Sequence, residues 1–324
     1  MEKPFKTYRQ QITILRNRNM IVNGTRAMRI LRSAGYYNVI NGYKDIFIDT
    51  TATKQNGEDI YKAGTTLDQV YALYSFDCAM RNILISYLLK AETTIKTKSA
   101  YYFSEAHNNE FAYLNINNYD LTNPPEVTKL IAKLSNIITQ NTSNKGNLGQ
   151  IDHYISKYRA VPLWVLSQKM TFGEIKHFIK SLDPIIKKKF YDEVIHDFTR
   201  SYSIRFVTPS TIEQDIMYML DILNDFRNIC AHGNRLYNRI FKKGKHIPPI
   251  STLFHSPYNL KFNSKLFDCI LITGLFISKK EYTRFIKDIS EEIENLQSEL
   301  SSSQFNIVLM NMGFAKDWKE KIKL

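Results

Sequence analysis

The sequence predicts an all-α protein, on three observations. Apolar residues recur at helical spacing over about 67–104, 163–181, 184–200, 211–232 and 264–300. Glycine and proline number only 12 and 9, so few helix breakers interrupt these stretches. β-structure is suggested only over 43–66, where Tyr43 to Ile48 and Ile60 to Lys62 flank a loop containing Asn56-Gly57. That loop is long for a hairpin, so at most one short β-hairpin is expected.

In chain order, the first 32 residues hold eight Lys or Arg (Lys3, Lys6, Arg9, Arg16, Arg18, Arg26, Arg29, Arg32) against one acid, Glu2. They read as two short helices, near 7–18 and 25–34, divided at Asn23-Gly24 and closed at Gly35. Such a basic pair either grips a phosphate backbone or forms a solvated face, and charge patterning leaves the two level. Residues 1–66 are therefore set apart as a basic N-terminal segment, and 67–324 as the main helical domain. Within the latter, 105–126 reads as loop, from Asn108-Asn109, Asn117-Asn118 and Pro124-Pro125. Gln140 to Gln150 has almost no apolar residue and reads as a linker. The acidic stretch Asp288 to Glu299 reads as a solvated or packing helix.

Composition narrows the function classes. With 324 residues and 44% hydrophobic content, the chain can bury a sizeable core, and disordered or collagenous classes are excluded. Lys plus Arg exceeds Asp plus Glu by 44 − 31 = 13, and the pI is about 9.4, which favours a polyanionic partner. Cys78, Cys230 and Cys269 are odd in number and never in C-x-x-C spacing, which argues against a disulfide scaffold or structural zinc and suits a reducing cytoplasm. The N-terminus lacks a secretory h-region, and the densest apolar run, Cys269 to Ile277, is far short of the ~20 residues of a membrane span. No G-x-x-x-x-G-K-[ST] loop and no Gly-Ser…Asp-x-Asp pattern occurs, so P-loop enzymes and nucleotidyltransferases are disfavoured.

The sharpest local feature is Arg227-Asn228-Ile229-Cys230-Ala231-His232, followed by Gly233. Ser210 and Glu213 have capping-box spacing and Gly233 suits a helix stop, so the motif occupies the last turns of a helix over about 211–232. At ~100° per residue, Ile212, Ile216, Met219, Leu223, Phe226 and Cys230 form one apolar stripe. Asp221, Asp225, Asn228 and His232 share the opposite face, while Arg227 lies at the edge of the stripe. By spacing alone an ordinary amphipathic helix is the better reading, and a metal held by Asp221, Asp225 and His232 is weaker still.

The helix over 67–104 adds weight. It carries two apolar stripes, so it is buried on most sides, yet Asp77, Arg81 and Glu92 lie in one of them. Buried charges need partners. Asp77 and Arg81 can pair at i, i+4, which leaves Glu92 needing a cation that Arg227 can supply. A purely structural ion network fits these residues at least as well as a catalytic one.

Arg227-Asn228-x-x-x-His232 resembles the R-x4–6-H signature of HEPN-domain proteins, whose active members are metal-independent ribonucleases. The block Arg227-Asn-Ile-Cys-Ala-His-Gly-Asn-Arg-Leu-Tyr-Asn-Arg239 is similar to the version in AbiD/AbiF abortive-infection proteins. So are Ala34 to Tyr43, Tyr61 to Leu67, Leu73-Tyr-Ser-Phe-Asp77 with Arg81, Pro162-Leu-Trp164, Thr171-Phe-Gly173 and Met312-Gly-Phe314 with Trp318. Asn38 stands where the group favours a basic residue, and Gly233 where a second His is frequent. The resemblance implies a HEPN-like helical core, cytoplasmic phage defence, and an RNA-cleaving toxin activity without cofactor or metal. It also implies a homodimer in which two motifs meet, and a small noncoding RNA as a further partner.

On that basis Arg227, Asn228 and His232 are the candidate catalytic residues, with Asp77, Arg81, Glu92 and Asp225 supporting. Arg26, Arg29, Arg32, Lys187, Lys188, Lys189, Arg235 and Arg239 are candidate RNA contacts, and Lys242-Lys243-Gly244-Lys245 is another basic cluster. Two rival readings remain: a catalytically inactive RNA-binding HEPN module, and a protein-interaction switch.

Overall fold

Helix starts in this chain are set by side chains that take up otherwise unpaired backbone amides. Thr7 and Gln10 cap each other reciprocally and open α1 (Tyr8–Asn17). Asn23 accepts the Arg26 amide and opens α2 (Gly24–Ala34), as the basic segment led us to expect. The computed structural model describes residues 4–142, 149–203, 211–242 and 263–322. Among them the fold is all-α: there is no β-strand, only the isolated bridges Ile21–Thr66, Ile48–Tyr61 and Tyr119–Leu182.

The possible hairpin over 43–66 is reduced to the single antiparallel bridge Ile48–Tyr61, between the two segments expected to flank its loop. Lys44–Phe47 winds as a 3-10 turn, and Asp49 accepts the Thr51 and Ala52 amides at 3.0 Å to cap α3 (Thr50–Asn56). Gly57, at φ +71°, stops that helix. The Asn56-Gly57 pair is thus a helix end rather than a hairpin turn, and the Asp49 cap was its sequence signal.

The chain forms two compact units. The first comprises Met1–Ile83, Ile229–Arg239 and Phe285–Lys316, and so contains the basic N-terminal segment. In it α1 packs against α2, and the two bury Ile12, Leu15, Ala27, Ile30 and Leu31 while Arg29 and Arg32 stay exposed. The long helix α4 (Leu67–Ala106) contributes its residues up to Ile83, including the buried Val70, Leu73, Phe76 and Met80.

The second unit comprises Leu84–Asn228, Ile240–Arg284 and Asp317–Leu324. Here α5 (Pro124–Gln140) packs on α7 (Leu163–Lys169) and α8 (Phe172–Ser181), and α6 (Gln150–Tyr158) packs on α7. The helix α9 (Pro184–Tyr202) and the helix α10 (Ile212–Ala231) follow. Helix α5 begins within the stretch expected to be loop, because proline suits the first helical turn; between the end of α4 at Ala106 and α5 there are only the short 3-10 turns Ala112–Leu114 and Ile116–Asn118. The 140–150 linker lies mostly outside the described residues.

Two stretches that read as single helices are each broken by a capping box. Thr171 and Glu174 cap each other between α7 and α8. Ser278 and Glu281 do the same between α11 (Leu266–Thr273) and α12 (Lys279–Glu299). Helix α13 (Ser302–Met312) and the short α14 (Trp318–Lys321) complete the chain. Among the described residues no helix is long and apolar enough to cross a membrane; the run at 269–277 begins in α11, whose residues are all buried.

Asp268, inside that buried helix, gives the fold a pH dependence. Burial pushes its carboxyl up to about 7, against the Asn263 and Ser264 amides that donate to Oδ2 at 2.7 and 2.6 Å. An unfolded aspartate titrates near ~3.9, so from about pH 4 to 7 the folded chain holds the extra proton and stability falls as pH rises. The thermal midpoint is expected to drop between pH 5 and 8. Asp268→Asn should flatten that drop, since one amide oxygen can still accept both amides; an unchanged slope assigns it to other groups.

Candidate functional site

Helix α10 buries Ile216, Met219, Leu223 and Phe226, as the wheel requires, along with Leu220 and Ile222. Its expected cap, Ser210, lies outside the described residues. The other end is closed as expected at Gly233. The Gly233 amide donates to the Cys230 carbonyl (3.3 Å) and the Asn234 amide to the Ile229 carbonyl (3.0 Å), with Gly233 at φ +67°. This is a Schellman closure, whose left-handed position a residue without a Cβ adopts at least cost. It makes His232 the last residue before the chain turns. His232 and Asn228 are both exposed, and neither side chain has a hydrogen-bond partner among the described residues.

Arg227 is set differently. Its Nε donates to Glu92 Oε2 at 3.2 Å, and Glu92 is almost fully buried. The pairing expected between these two residues is present. The sequence reading missed Lys96, whose Nζ lies 2.7 Å from Glu92 Oε1 at i, i+4, although that spacing was legible. Glu92 therefore binds two cations. Only Nε of Arg227 is engaged, and its two terminal Nη groups have no protein partner among the described residues. The guanidinium is oriented at one edge and unoccupied at the edge that matches a phosphate.

Asp77 and Arg81 pair as expected, and the structure gives the pair a task that sequence could not show. Asp77 is fully buried. It accepts the Tyr43 hydroxyl at 2.6 Å, the Tyr237 amide at 2.6 Å and the Leu236 amide at 3.1 Å. Arg81 Nη1 also donates to the Asn234 carbonyl at 3.3 Å, and Nη2 contacts Cys78 Sγ. The ion pair thus holds residues 234–237, the strand of chain that leaves the Schellman turn. Asp77 and Arg81 position the segment that follows His232; Tyr43, distant in sequence, had no signal to reveal it. Burial pushes the Cys230 thiol on the same helix up to about 12, so it stays a neutral packing group.

The candidate RNA contacts separate on inspection. Arg29 and Arg32 are exposed, while Arg26 is ion-paired with Asp68 at 2.5 Å. Lys187 is buried between Asp120 (3.4 Å) and Glu213 (3.2 Å), so it is turned away from solvent and offers no phosphate contact. A hydrophobic helix face carried this lysine inward, where two carboxylates satisfy it. Lys188 pairs with Asp192 and Lys189 with Glu105, both at the surface. Arg235 donates through Nη1 to the Gly42 carbonyl and to Asp45, and Arg239 is half-buried. Lys243 to Lys245 lie outside the described residues. On α10, Asp225 is half-buried, and Asp221 is engaged by Lys176. Among the described residues no three His, Cys, Asp or Glu side chains gather as a cation site requires.

Fold and site together define an all-helical protein whose distinguishing chemistry is an Arg-x4-His motif closing one helix. The chain belongs to the family of Abi-like proteins, whose family model matches residues 29–238 and takes in that motif. The family places it among abortive-infection, phage-defence proteins. Comparison with curated proteins and with solved structures gives no match.

Proposed function

We propose that this Abi-like protein is a metal-independent endoribonuclease of the HEPN kind, in the AbiD/AbiF group, acting as a cytoplasmic phage-defence toxin. The observation that carries the reading is the state of the motif. Among the described residues, an imidazole and an amide stand exposed without a partner in the last turns of a helix closed at Gly233, and a guanidinium is held by one nitrogen with its phosphate-matching edge free.

RNA supplies its own nucleophile. The 2′-oxygen forms a bond to phosphorus while the phosphorus bond to the 5′-oxygen breaks. One imidazole takes the 2′-hydroxyl proton, and a second delivers a proton to the departing 5′-oxygen. His232 serves one of these roles, and His232 of a second copy of the chain serves the other, so the active species is a homodimer. Arg227 stabilises the charge that develops on the phosphate oxygens, and Asn228 hydrogen-bonds the phosphate or fixes the imidazole tautomer. A small noncoding RNA is the regulatory partner in this reading.

The experiment is cleavage of RNA by purified protein in EDTA. Shortened RNA with 2′,3′-cyclic phosphate and 5′-hydroxyl ends is expected. RNA that is retarded on a gel but never shortened selects the binding-only module instead, a reading the exposed Arg29 and Arg32 favour. Cleavage abolished by EDTA sinks the mechanism.

A further inference from the structure

Immediately beyond His232 the first unit contains an open cleft of about 410 Å³, within the ~300–1,000 Å³ range of small-ligand sites. Gly233, Asn234 and Arg235 form one wall, and residues of the π-helical turn Tyr37–Asn41 form another. Successive Cα atoms lie ~3.8 Å apart, so the wall begins one residue from the imidazole-bearing position. A side chain of the second wall is unusual: Tyr37 is 77% exposed, a large aromatic surface left in water beside the cleft. Around it stand groups with hydrogen-bonding capacity left over among the described residues. The side-chain amides of Asn41 and Asn234 have no partner among the described residues, and Arg235 uses only Nη1, leaving Nε and Nη2. The floor, by contrast, is fixed: Tyr43 and Arg81 line the cleft and are tied into the buried Asp77 network. A rigid floor under an exposed ring, two free amides and a guanidinium edge is the chemistry that takes an unpaired nucleotide. The base stacks on the ring, amides read its edges, and the guanidinium meets phosphate.

We propose that this cleft is the substrate subsite for the unpaired nucleotide next to the bond that is cut, with Tyr37 as the stacking platform, Asn41 and Asn234 as base-reading groups and Arg235 as the phosphate contact. The inference rests on the ribonuclease reading, and it adds that the enzyme selects single-stranded RNA and has a base preference at one position. Asn38 adds no donor to this subsite: its Nδ2 is spent on the Ala34 carbonyl at 3.0 Å.

The test uses full-length protein carrying His232→Ala, which keeps RNA intact, and an unstructured fluorescent oligoribonucleotide. Adding Tyr37→Ala is expected to weaken binding about tenfold, the order of one lost stacking contact, while Tyr37→Phe retains it. Tyr37 is exposed, so neither change threatens the fold. In otherwise wild-type protein, Asn41→Ala or Asn234→Ala is expected to alter which base flanks the mapped cleavage ends. If adding Tyr37→Ala leaves binding as tight as in the His232→Ala parent, and the Asn41→Ala and Asn234→Ala proteins cut at the same positions as wild type, the subsite is overturned and the ribonuclease reading stands. If wild-type protein shortens no RNA and the His232→Ala parent binds none, the ribonuclease reading fails and takes the subsite with it.

Discussion

His232→Ala is expected to lower RNA cleavage about 10²–10⁴-fold, the usual contribution of one general acid or base, and to leave RNA binding and thermal stability close to wild type. The side chain is exposed and unpartnered, so its removal opens no cavity and strands no buried group. Arg227 offers the companion measurement. Arg227→Ala leaves Glu92 with Lys96 at 2.7 Å, so the buried carboxylate keeps a cation and the fold is expected to survive while cleavage falls. Arg227→Lys keeps the charge and loses the planar fork, and is expected to restore little activity. The measurement is the initial rate of RNA shortening beside a melting curve for each variant. Full activity in the His232→Ala protein contradicts the mechanism outright.

Asp77→Ala is expected to have the largest effect on stability, about 3–5 kcal/mol, because breaking a buried pair leaves its partner charge uncompensated. Four groups lose their acceptor at once: Arg81, the Tyr43 hydroxyl and the Leu236 and Tyr237 amides. Asp77→Asn keeps an acceptor oxygen but not the charge, and is expected to fall between the two. The chain after the Schellman turn hangs on this carboxylate, so cleavage is expected to drop in Asp77→Asn beyond what any unfolding explains. Chemical denaturation of both variants measures the first effect, and activity per folded molecule the second. Wild-type stability in Asp77→Ala contradicts the anchoring role.

Much of this was legible along the chain. The Asn23-Gly24 break and the glycine stops at Gly35 and Gly233 placed α1, α2 and the end of α10, since these are local backbone signals. Periodicity exposed α4 as a buried helix carrying charges, and arithmetic on those charges found Asp77–Arg81 and Glu92–Arg227. Errors arose where one local pattern served two structures. Asn56-Gly57 closes a helix as readily as a hairpin, and two capping boxes inside apolar stretches were read through rather than as breaks.

The sequence by itself determined the helical class, the motif with its outward histidine, and the need of the buried Glu92 for a cation, because all three follow from spacing along a helix of fixed pitch. Tertiary structure alone decided that Lys187 is spent on two carboxylates, that Tyr43 and the amides of Leu236 and Tyr237 converge on Asp77, and that an exposed tyrosine stands across a cleft from the residues after His232. Those contacts join positions up to 160 residues apart. Buried polar groups find partners wherever the packed chain brings them, and linear spacing carries no record of that meeting.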